Sequence, residues 1–326
     1  MLPGGVTLHG VYTVFRKELS DHFSGYRFII LFALIAMLSL IIVYMAGMGL
    51  REQLEGMVKP KFVFLMLFTT PGAIFSLVQF VAFFGPLIGL VLGFDSINRE
   101  RATGTLSKLL SQPIYRDSVI NGKFLAGVVT IAIMLTSIVL LISGLGLLIL
   151  GVVPGVEEVL RLVFYLIISI FYISFWLGVA ILFSVLFRGI ATSALASVAL
   201  WIFFSFFVPL GADIIANAFI PVDKETSTIE RVIKHAQLQR AISLSSPMTL
   251  YSDSTGVIID PLRKTTRPLI LMGAMERISM KRFEGPLPLE QSLLIVFPHI
   301  TTLLALTFLC FGITYVIFML QEIRSA

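Results

Sequence analysis

An all-α membrane protein with six transmembrane helices is the fold class this sequence predicts, and three observations predict it. The chain of 326 residues is 57% hydrophobic and only 13% charged, with a mean hydropathy of +0.97, more apolar than a soluble fold of this length can hide. Uncharged runs long enough to cross a bilayer, roughly 20 helical residues, recur six times. These runs are continuous and lack the alternation of barrel strands, and backbone groups in lipid must be satisfied within the segment or by barrel closure.

Residues 10–27 are too polar to span. Wound as a helix, they place Val11, Val14, Phe15, Leu19, His22, Phe23 and Tyr26 on one arc and Arg16, Lys17, Ser20, Asp21, Ser24 and Arg27 on the other. An amphipathic elbow over residues 1–27 is therefore expected along the membrane surface, centred on Phe15, Arg16, Lys17, Glu18 and Leu19. Glu18 projects towards the apolar arc, where it either snorkels or pairs with the basic loop further on. No convincing small-residue cleavage site precedes the first span, which is expected to stay in the mature protein. Spans are expected at 28–48, 74–94, 124–150, 162–187, 190–210 and 291–320. The chain then divides into the elbow, spans one to five over 28–210 with a cytosolic loop at 95–123, an extracytoplasmic loop or lid at 211–290, and the last span with its tail at 291–326.

An even number of spans puts both termini on one side, and basic residues in short connections decide which. Arg16, Lys17, Arg27, Arg99, Arg101, Lys108, Arg116, Lys123, Arg188 and Arg324 lie on the terminal side, against Arg51, Lys59, Lys61 and Arg161 on the other. Both termini are thus expected in the cytoplasm, with the chain in the cytoplasmic membrane. The long fifth connection holds the remaining basic residues, and long translocated loops escape that rule. The net charge of +5 is accordingly no sign of a nucleic-acid partner; the bilayer is the expected one. Cys310, the single cysteine, falls inside the last span, so no intrachain disulfide is available.

Between the second and third spans runs NRERATGTLSKLLSQPIYRDSVINGK. Residues 104–110 have the pattern of a short helix with Leu106, Leu109 and Leu110 on one face, ended by Pro113. Held between two spans, such a helix suits a groove on a partner protein, with Arg99, Glu100, Arg101, Lys108 and Arg116 orienting it. The bland alternative is a solvated, positive-inside loop touching lipid headgroups.

The order Glu100-x-x-x-Gly104-Thr105-Leu106-x-x-Leu109-Leu110-x-x-Pro113-x-x-Arg116, followed by Gly122-Lys123, resembles the cytosolic signature of the ABC type-2 exporter permeases. Arg16-Lys17-Glu18-Leu19, Pro298 and the tail at 318–324 are also similar to that family. The resemblance implies a transmembrane subunit that forms a homodimer, or a heterodimer with a similar permease, on separate ABC ATP-binding subunits. It implies that Glu100, Gly104, Thr105, Leu106, Leu109, Leu110 and Pro113 form a coupling helix that meets the ATPase. It implies ATP-driven movement of a substrate, by family bias export. The chain departs from compact family members in its 211–290 loop, where no re-entrant helix is apparent.

Other chemistry is sparse. A phosphate-cradling loop needs G-x-x-x-x-G-K-[ST], and Gly122-Lys123 is followed by Phe124. The chain is therefore expected not to be an enzyme and to hold no cofactor, with ATP and Mg on the partner subunit. The expected spans contain no Asp, Glu, Lys or Arg, and His299 beside Pro298 is the one titratable group at depth, which disfavours an ion-driven mechanism. Phe75, Phe80, Phe83, Phe84, Phe164, Phe171, Phe175, Trp176, Trp201, Phe203, Phe204, Phe206 and Phe207 suit an amphipathic or lipid-like cargo, or simply pack helices and face lipid. Substrate contacts are not assigned.

In the long loop, Ser227-Thr228-Ile229-Glu230 has capping-box spacing, and Ile229, Val232, Ile233, Ala236 and Ile242 come after it at helical intervals. A helix of about 17 residues is expected there, with Gly256, Pro261, Pro268, Pro286 and Pro288 breaking up the rest of the loop. Met272, Met275 and Met280 invite a soft-metal reading, and one branch of the resembled family serves maturation of a copper enzyme. Without cysteine, and with His235 distant in sequence, no metal site is assigned. His9, His22, His235 and His299 are scattered, and neither H-E-x-x-H nor G-x-S-x-G occurs. The alternative from another class is a non-transporting membrane scaffold or sensor, or a maturation factor for a metalloenzyme, coupled to a cytosolic partner.

Overall fold

Six helical stretches in the computed structural model are long and apolar enough to cross a bilayer: Tyr26–Gln53, Leu77–Ala102, Arg116–Leu150, Val156–Leu186, Ile190–Phe219 and Leu289–Leu320. They are numbered spans 1 to 6 in chain order. The structure describes residues 4–56, 60–70, 75–105, 115–222, 228–266, 271 and 285–321, and no strand occurs among them. Helix α1 (Gly4–Ser24) precedes span 1, which is α2 (Tyr26–Gln53). A short α3 (Val63–Thr69) leads to span 2, made of α4 (Leu77–Gly93) and α5 (Asn98–Ala102). Spans 3 and 4 are α6 (Arg116–Leu150) and α7 (Val156–Leu186). Span 5 is α8 (Ile190–Ile202), a π turn (Phe203–Phe207) and α9 (Val208–Phe219). Then come α10 (Ile229–Ser243), α11 (Pro247–Ile259) and span 6, α12 (Leu289–Leu320). Helix α1 and Gln321 lie at the same end of the bundle, where Glu18 meets Lys123 and Gln321 meets Arg101 and Arg116; this end is called the terminal face.

Helix α7 is the centre of the bundle, packed by α4, α6, α11 and α12. Trp176, Arg161, Tyr165 and Tyr172, all on α7, are among the largest fully buried side chains. Its contact with α4 is close because glycine stands at the crossing: a Cβ on Gly89 would lie 2.5 Å from the Ile173 carbonyl oxygen and 2.7 Å from the Leu177 nitrogen. Small residues let membrane helices approach backbone to backbone, where dispersion replaces the missing hydrophobic drive. Spans 1 and 5 instead leave apolar side chains such as Ile30, Met37, Phe207 and Ile214 exposed, as surfaces facing lipid or another chain do.

Several boundaries differ from the sequence expectation. Span 4 begins at Val156 rather than 162, because Glu157 and Arg161 pair across one helical turn and let the helix carry charge. Span 3 begins at Arg116, which places Gly122 and Lys123 within the helix. Span 2 opens on a capping box at Ser76 and Gln79, while residue 74 lies outside the described residues. Span 5 continues through its π turn to Phe219. The segment after span 1, expected as a simple connection, contains α3 with Val63, Phe64, Leu65, Leu67 and Phe68 buried.

The larger difference is in the long fifth connection. Helix α10 matches the expected amphipathic segment, with Thr228 as N-cap making no side-chain capping bond; Ser227 lies outside the described residues. It runs back along span 5, its His235 Nε2 3.0 Å from Asn217 Oδ1 and its Gln239 Nε2 donating to Asp213 Oδ1 at 3.3 Å. The turn then reaches the middle of the span, where Ser246 Oγ donates to the Phe204 carbonyl at 2.8 Å. Helix α11 climbs out again: Tyr251 stacks on Tyr172 at 4.3 Å and its hydroxyl lies 2.7 Å from Ser169 Oγ, about 20 Å along α7 from its Val156 end. The connection therefore folds into a helical hairpin that packs into the bundle, a feature not apparent in the sequence. Ser254 and Thr255 donate to carbonyls one turn back, at Leu250 and Tyr251, and Asp253 pairs with Arg240 and Arg263, so α11 buries polar residues at no cost in unpaired groups.

Candidate partner interface on the terminal face

The site is assembled where α1 crosses the start of α6. A Cβ on Gly122 would meet Val14 Cβ at 2.8 Å and the Phe15 nitrogen at 3.1 Å, so glycine is what admits the crossing. The next residue, Lys123, is buried with a side chain only 3% exposed. Its ammonium lies 2.8 Å from Glu18 Oε1 and 2.9 Å from Glu100 Oε1. Lys17 bridges the same carboxylates from the solvent side, at 2.9 Å from Glu18 and 3.5 Å from Glu100, and also reaches Asp21 Oδ2 at 3.3 Å. Glu18 thus pairs rather than snorkels. Two lysines alternate with two glutamates, which cancels charge in a partly buried place where an unpaired ion would be costly.

Titration of these groups reflects the geometry. Burial pushes the Glu18 carboxyl up, but the charge and hydrogen bond of Lys123, then those of Lys17, outweigh it and hold the group below its ordinary value. Burial draws Lys17 down, and Glu18, Glu100 and Asp21 together overcome it, so its ammonium is retained to higher pH than usual. His22, on the same helix, is lowered chiefly by burial, with Glu18, Asp95 and Asp21 opposing.

Helix α5 is fixed on its other side as well. Ser184 Oγ on span 4 accepts from the Ile97 and Asn98 nitrogens at 2.9 and 3.1 Å, satisfying donors that a helix start leaves free. Asn98 Nδ2 donates to the Phe94 and Gly189 carbonyls, each at 3.3 Å. Arg101 donates to Gln321 Oε1 at 2.7 Å, and Gln321 Nε2 donates in turn to the Val185 carbonyl at 3.3 Å. Arg116 donates to the Gln321 carbonyl at 3.1 Å. Asp95 pairs with Arg27 and Arg99. The end of span 2, residues 95–102, is thereby tied to α1 and to spans 1, 3 and 4 and to Gln321 at the end of span 6.

Among the residues singled out in the sequence, Glu100 therefore turns inward. Gly104, at φ +68° in the left-handed region that favours glycine, and Thr105, which donates to the Glu100 carbonyl at 3.2 Å, carry the chain to the exposed edge. Leu106, Leu109, Leu110 and Pro113 lie outside the described residues. On the elbow, Phe15 and Leu19 are half-buried and Arg16 is exposed. His9, Tyr12, Thr13, Arg16, Lys17 and Ser20 line an open hollow of about 520 Å³ there. Sequence reasoning did not find the Ser184 cap, the Arg101–Gln321 link or the burial of Arg161, because Ser184, Gln321 and the Ile258 carbonyl that Arg161 reaches are each more than 80 residues from their partners. Among the described residues no three His, Cys, Asp or Glu side chains converge as a metal would need; Met272, Met275 and Met280 lie outside them.

Six apolar spans, a charge-paired platform beneath them and a hairpin entering from the far side define a multi-pass helical membrane protein. The chain belongs to the ABC-2 transporter family: residues 12–323 match the family described as ABC-2 family transporter protein. It is similar to a probable ABC transporter permease protein NosY of Pseudomonas aeruginosa, 29% identical over 152 residues, which is 47% of this chain and 50% of that one. A probable ABC transporter permease protein NosY of Stutzerimonas stutzeri is 32% identical over 117 residues, 36% of this chain and 38% of that one. The chain thus matches half or less of the length of these curated relatives.

Proposed function

We propose that this chain is the permease subunit of an ABC transporter that moves an amphipathic or lipid-like molecule across the cytoplasmic membrane, in the export direction, driven by ATP hydrolysis on a separate subunit. The observation that carries it is the fixing of the end of span 2 to spans 1, 3, 4 and 6 through Asp95–Arg27, Glu100–Lys123, Ser184 and Arg101–Gln321. A push on the chain that continues from Thr105 is then felt by four spans at once, with α1 as a brace. In this reading Glu100, Gly104, Thr105, Leu106, Leu109, Leu110 and Pro113 meet the ATP-binding subunit, both termini are cytoplasmic, and the chain pairs with a second copy, or with a similar permease, on two such subunits. Closure of the ATP-bound pair would bias the bundle between two packings, a population shift rather than a continuous deformation. The ABC-2 family match and the designations of both relatives support this reading.

The test is purification of the tagged chain from native membranes, with mass spectrometry of co-purifying proteins and an ATPase assay. A stoichiometric P-loop ATPase is expected with the unaltered chain, and its stimulation is expected to disappear with Leu109→Asp. Absence of such a partner, or full stimulation by Leu109→Asp, would overturn the proposal.

A further inference from the structure

Arg161 is the feature of the structure that this mechanism leaves unused. Its side chain is 0% exposed, and its five N–H groups all have acceptors. Nε and Nη2 donate to Glu157 Oε1 at 3.3 and 3.0 Å, and Nη1 donates to the Ile258 carbonyl at 2.7 Å and to Ser292 Oγ at 3.3 Å. The second Nη2 hydrogen goes to the Leu287 carbonyl. Its guanidinium also lies 5.6 Å from the centre of the Phe62 ring, on a residue held at φ +72°, where a bulky side chain is strained. One guanidinium therefore joins span 4 to the end of α11, to the segment before span 6 and to the first turn of span 6. The neighbouring Glu158 binds the Phe64 and Gly155 nitrogens at 3.2 and 2.8 Å, which brings in the start of α3.

A buried, paired charge is a poor way to gain stability, since apolar residues of similar volume often do as well or better. What directional bonds to several segments provide is a discrete closed state that can be left as a unit. The geometry fits that use. Ile258 and Leu287 flank a stretch whose base is also closed by the Leu287 nitrogen donating to the Pro261 carbonyl at 2.8 Å. Arg161 and Ser184 stand on the same uninterrupted helix, α7, which contains no proline, about 35 Å apart. A shift of α7 driven at Ser184 and Val185 moves Arg161 against carbonyls that belong to other segments.

We propose that Arg161 is a positioning residue, the latch by which span 4 holds the α10–α11 hairpin closed on the face opposite the termini and releases it. The coupling of that release to ATP rests on the function proposed above; the latch itself does not.

The experiment uses the full chain in lipid nanodiscs with Cys310→Ala and Ile259→Cys, the latter at a fully buried site on the last turn of α11, and tracks maleimide labelling. Without nucleotide, Arg161→Met is expected to raise the labelling rate at least about tenfold, the loss of charged hydrogen bonds being of that order. Arg161→Lys and Ser292→Ala are expected to raise it severalfold, and they decide the matter if Arg161→Met does not fold. Protection of Ile259→Cys as complete in these variants as in the parent would overturn the latch. With the ATP-binding subunit present, labelling of the parent is expected to change with nucleotide, and the variants to label alike with and without it. Equal elevation in both states with the nucleotide response intact would reduce Arg161 to a packing role and refute its positioning role. Failure to find an ATP-binding partner would sink the proposed function and leave the nucleotide-free result to decide the latch.

Discussion

On the terminal face a buried lysine is held by two carboxylates from other segments, whereas on the opposite face a buried arginine pairs with one carboxylate of its own helix and reaches other segments through two backbone carbonyls and a hydroxyl. The consequences differ in kind. Carboxylates titrate, and those near solvent are screened by salt, so the Lys123 node, whose partners are all carboxylates, is tunable; carbonyls and a hydroxyl do neither, so the bonds that tie Arg161 to other segments depend on geometry, while its pair with Glu157 stays within span 4. Side-chain partners can also be mutated together, whereas carbonyl partners cannot. In the proposed function this platform receives a partner's push and must keep its charges paired while it moves, and the alternation of Lys17, Glu18, Lys123 and Glu100 would allow one partner to be exchanged for another. A closure that must be either made or broken is better served by bonds with fixed direction.

The largest effect that separates the two nodes is expected from compensation. Lys123→Met leaves Glu18 and Glu100 partly buried without their main partner and should destabilise the chain by about 3–5 kcal/mol. Adding Glu18→Gln and Glu100→Gln removes the stranded charges and is expected to recover most of that loss in a thermal or denaturant melt. Arg161→Met leaves the Ile258 and Leu287 carbonyls unmet, and no second substitution can remove them. A triple variant no more stable than Lys123→Met alone would break the distinction.

An intermediate effect is expected from pH. Glu18, held below its ordinary 4.5, contributes stability that is complete above that value and is lost as the pH falls through its lower folded value. Lys17, held above its ordinary 10.5, contributes stability that is complete below 10.5 and is lost as the pH rises through its higher folded value. The α1–α6 contact should therefore hold between these limits and loosen first on the acid side below about pH 4.5. Hydrogen exchange of α1 amides against pH checks this. Exchange at the Leu287 amide, which donates to the Pro261 carbonyl beside the two carbonyls that Arg161 reaches on other segments, is expected to change less over the same range, and equal loosening of both would erase the contrast.

These two nodes also mark where the sequence could be read and where it could not. Spans, the polar stretch before them and the 229–243 helix are legible because each is a local pattern of about one or two turns repeated. Glu18 stood out locally as a charge on an apolar arc and Lys123 as half of a Gly-Lys pair, but no local pattern joins the two. Arg161 was legible only as a basic residue in a connection, since beyond Glu157 one turn before it the acceptors lie on other segments, two carbonyls and a hydroxyl that no local pattern joins to it. Helix α11 was hidden for a related reason: Tyr251, Asp253, Ser254 and Thr255 read as a polar loop until Ser169, Arg240 and Arg263 are brought to them. Glycine at 122 showed as half of the Gly-Lys pair, and that at 89 only as composition; the crossings with Val14 and Ile173 reveal what each is for.

The smallest effect is expected at the outer edge of the terminal node. Lys17 touches three carboxylates, yet half of its side chain is exposed, and an exposed pair contributes about 0–1 kcal/mol. Lys17→Ala should cost no more than that at low salt. At 1 M salt, where the Debye length is about 3 Å, its cost should vanish while that of Lys123→Met persists. The contrast lies in position rather than in charge or in number of partners, because water reaches one ammonium and not the other. Thermal midpoints of both variants at low and high salt measure it. A Lys17→Ala penalty that matched Lys123→Met and survived salt would mean that the solvent side of the node, not its buried lysine, is what holds α1 to the bundle.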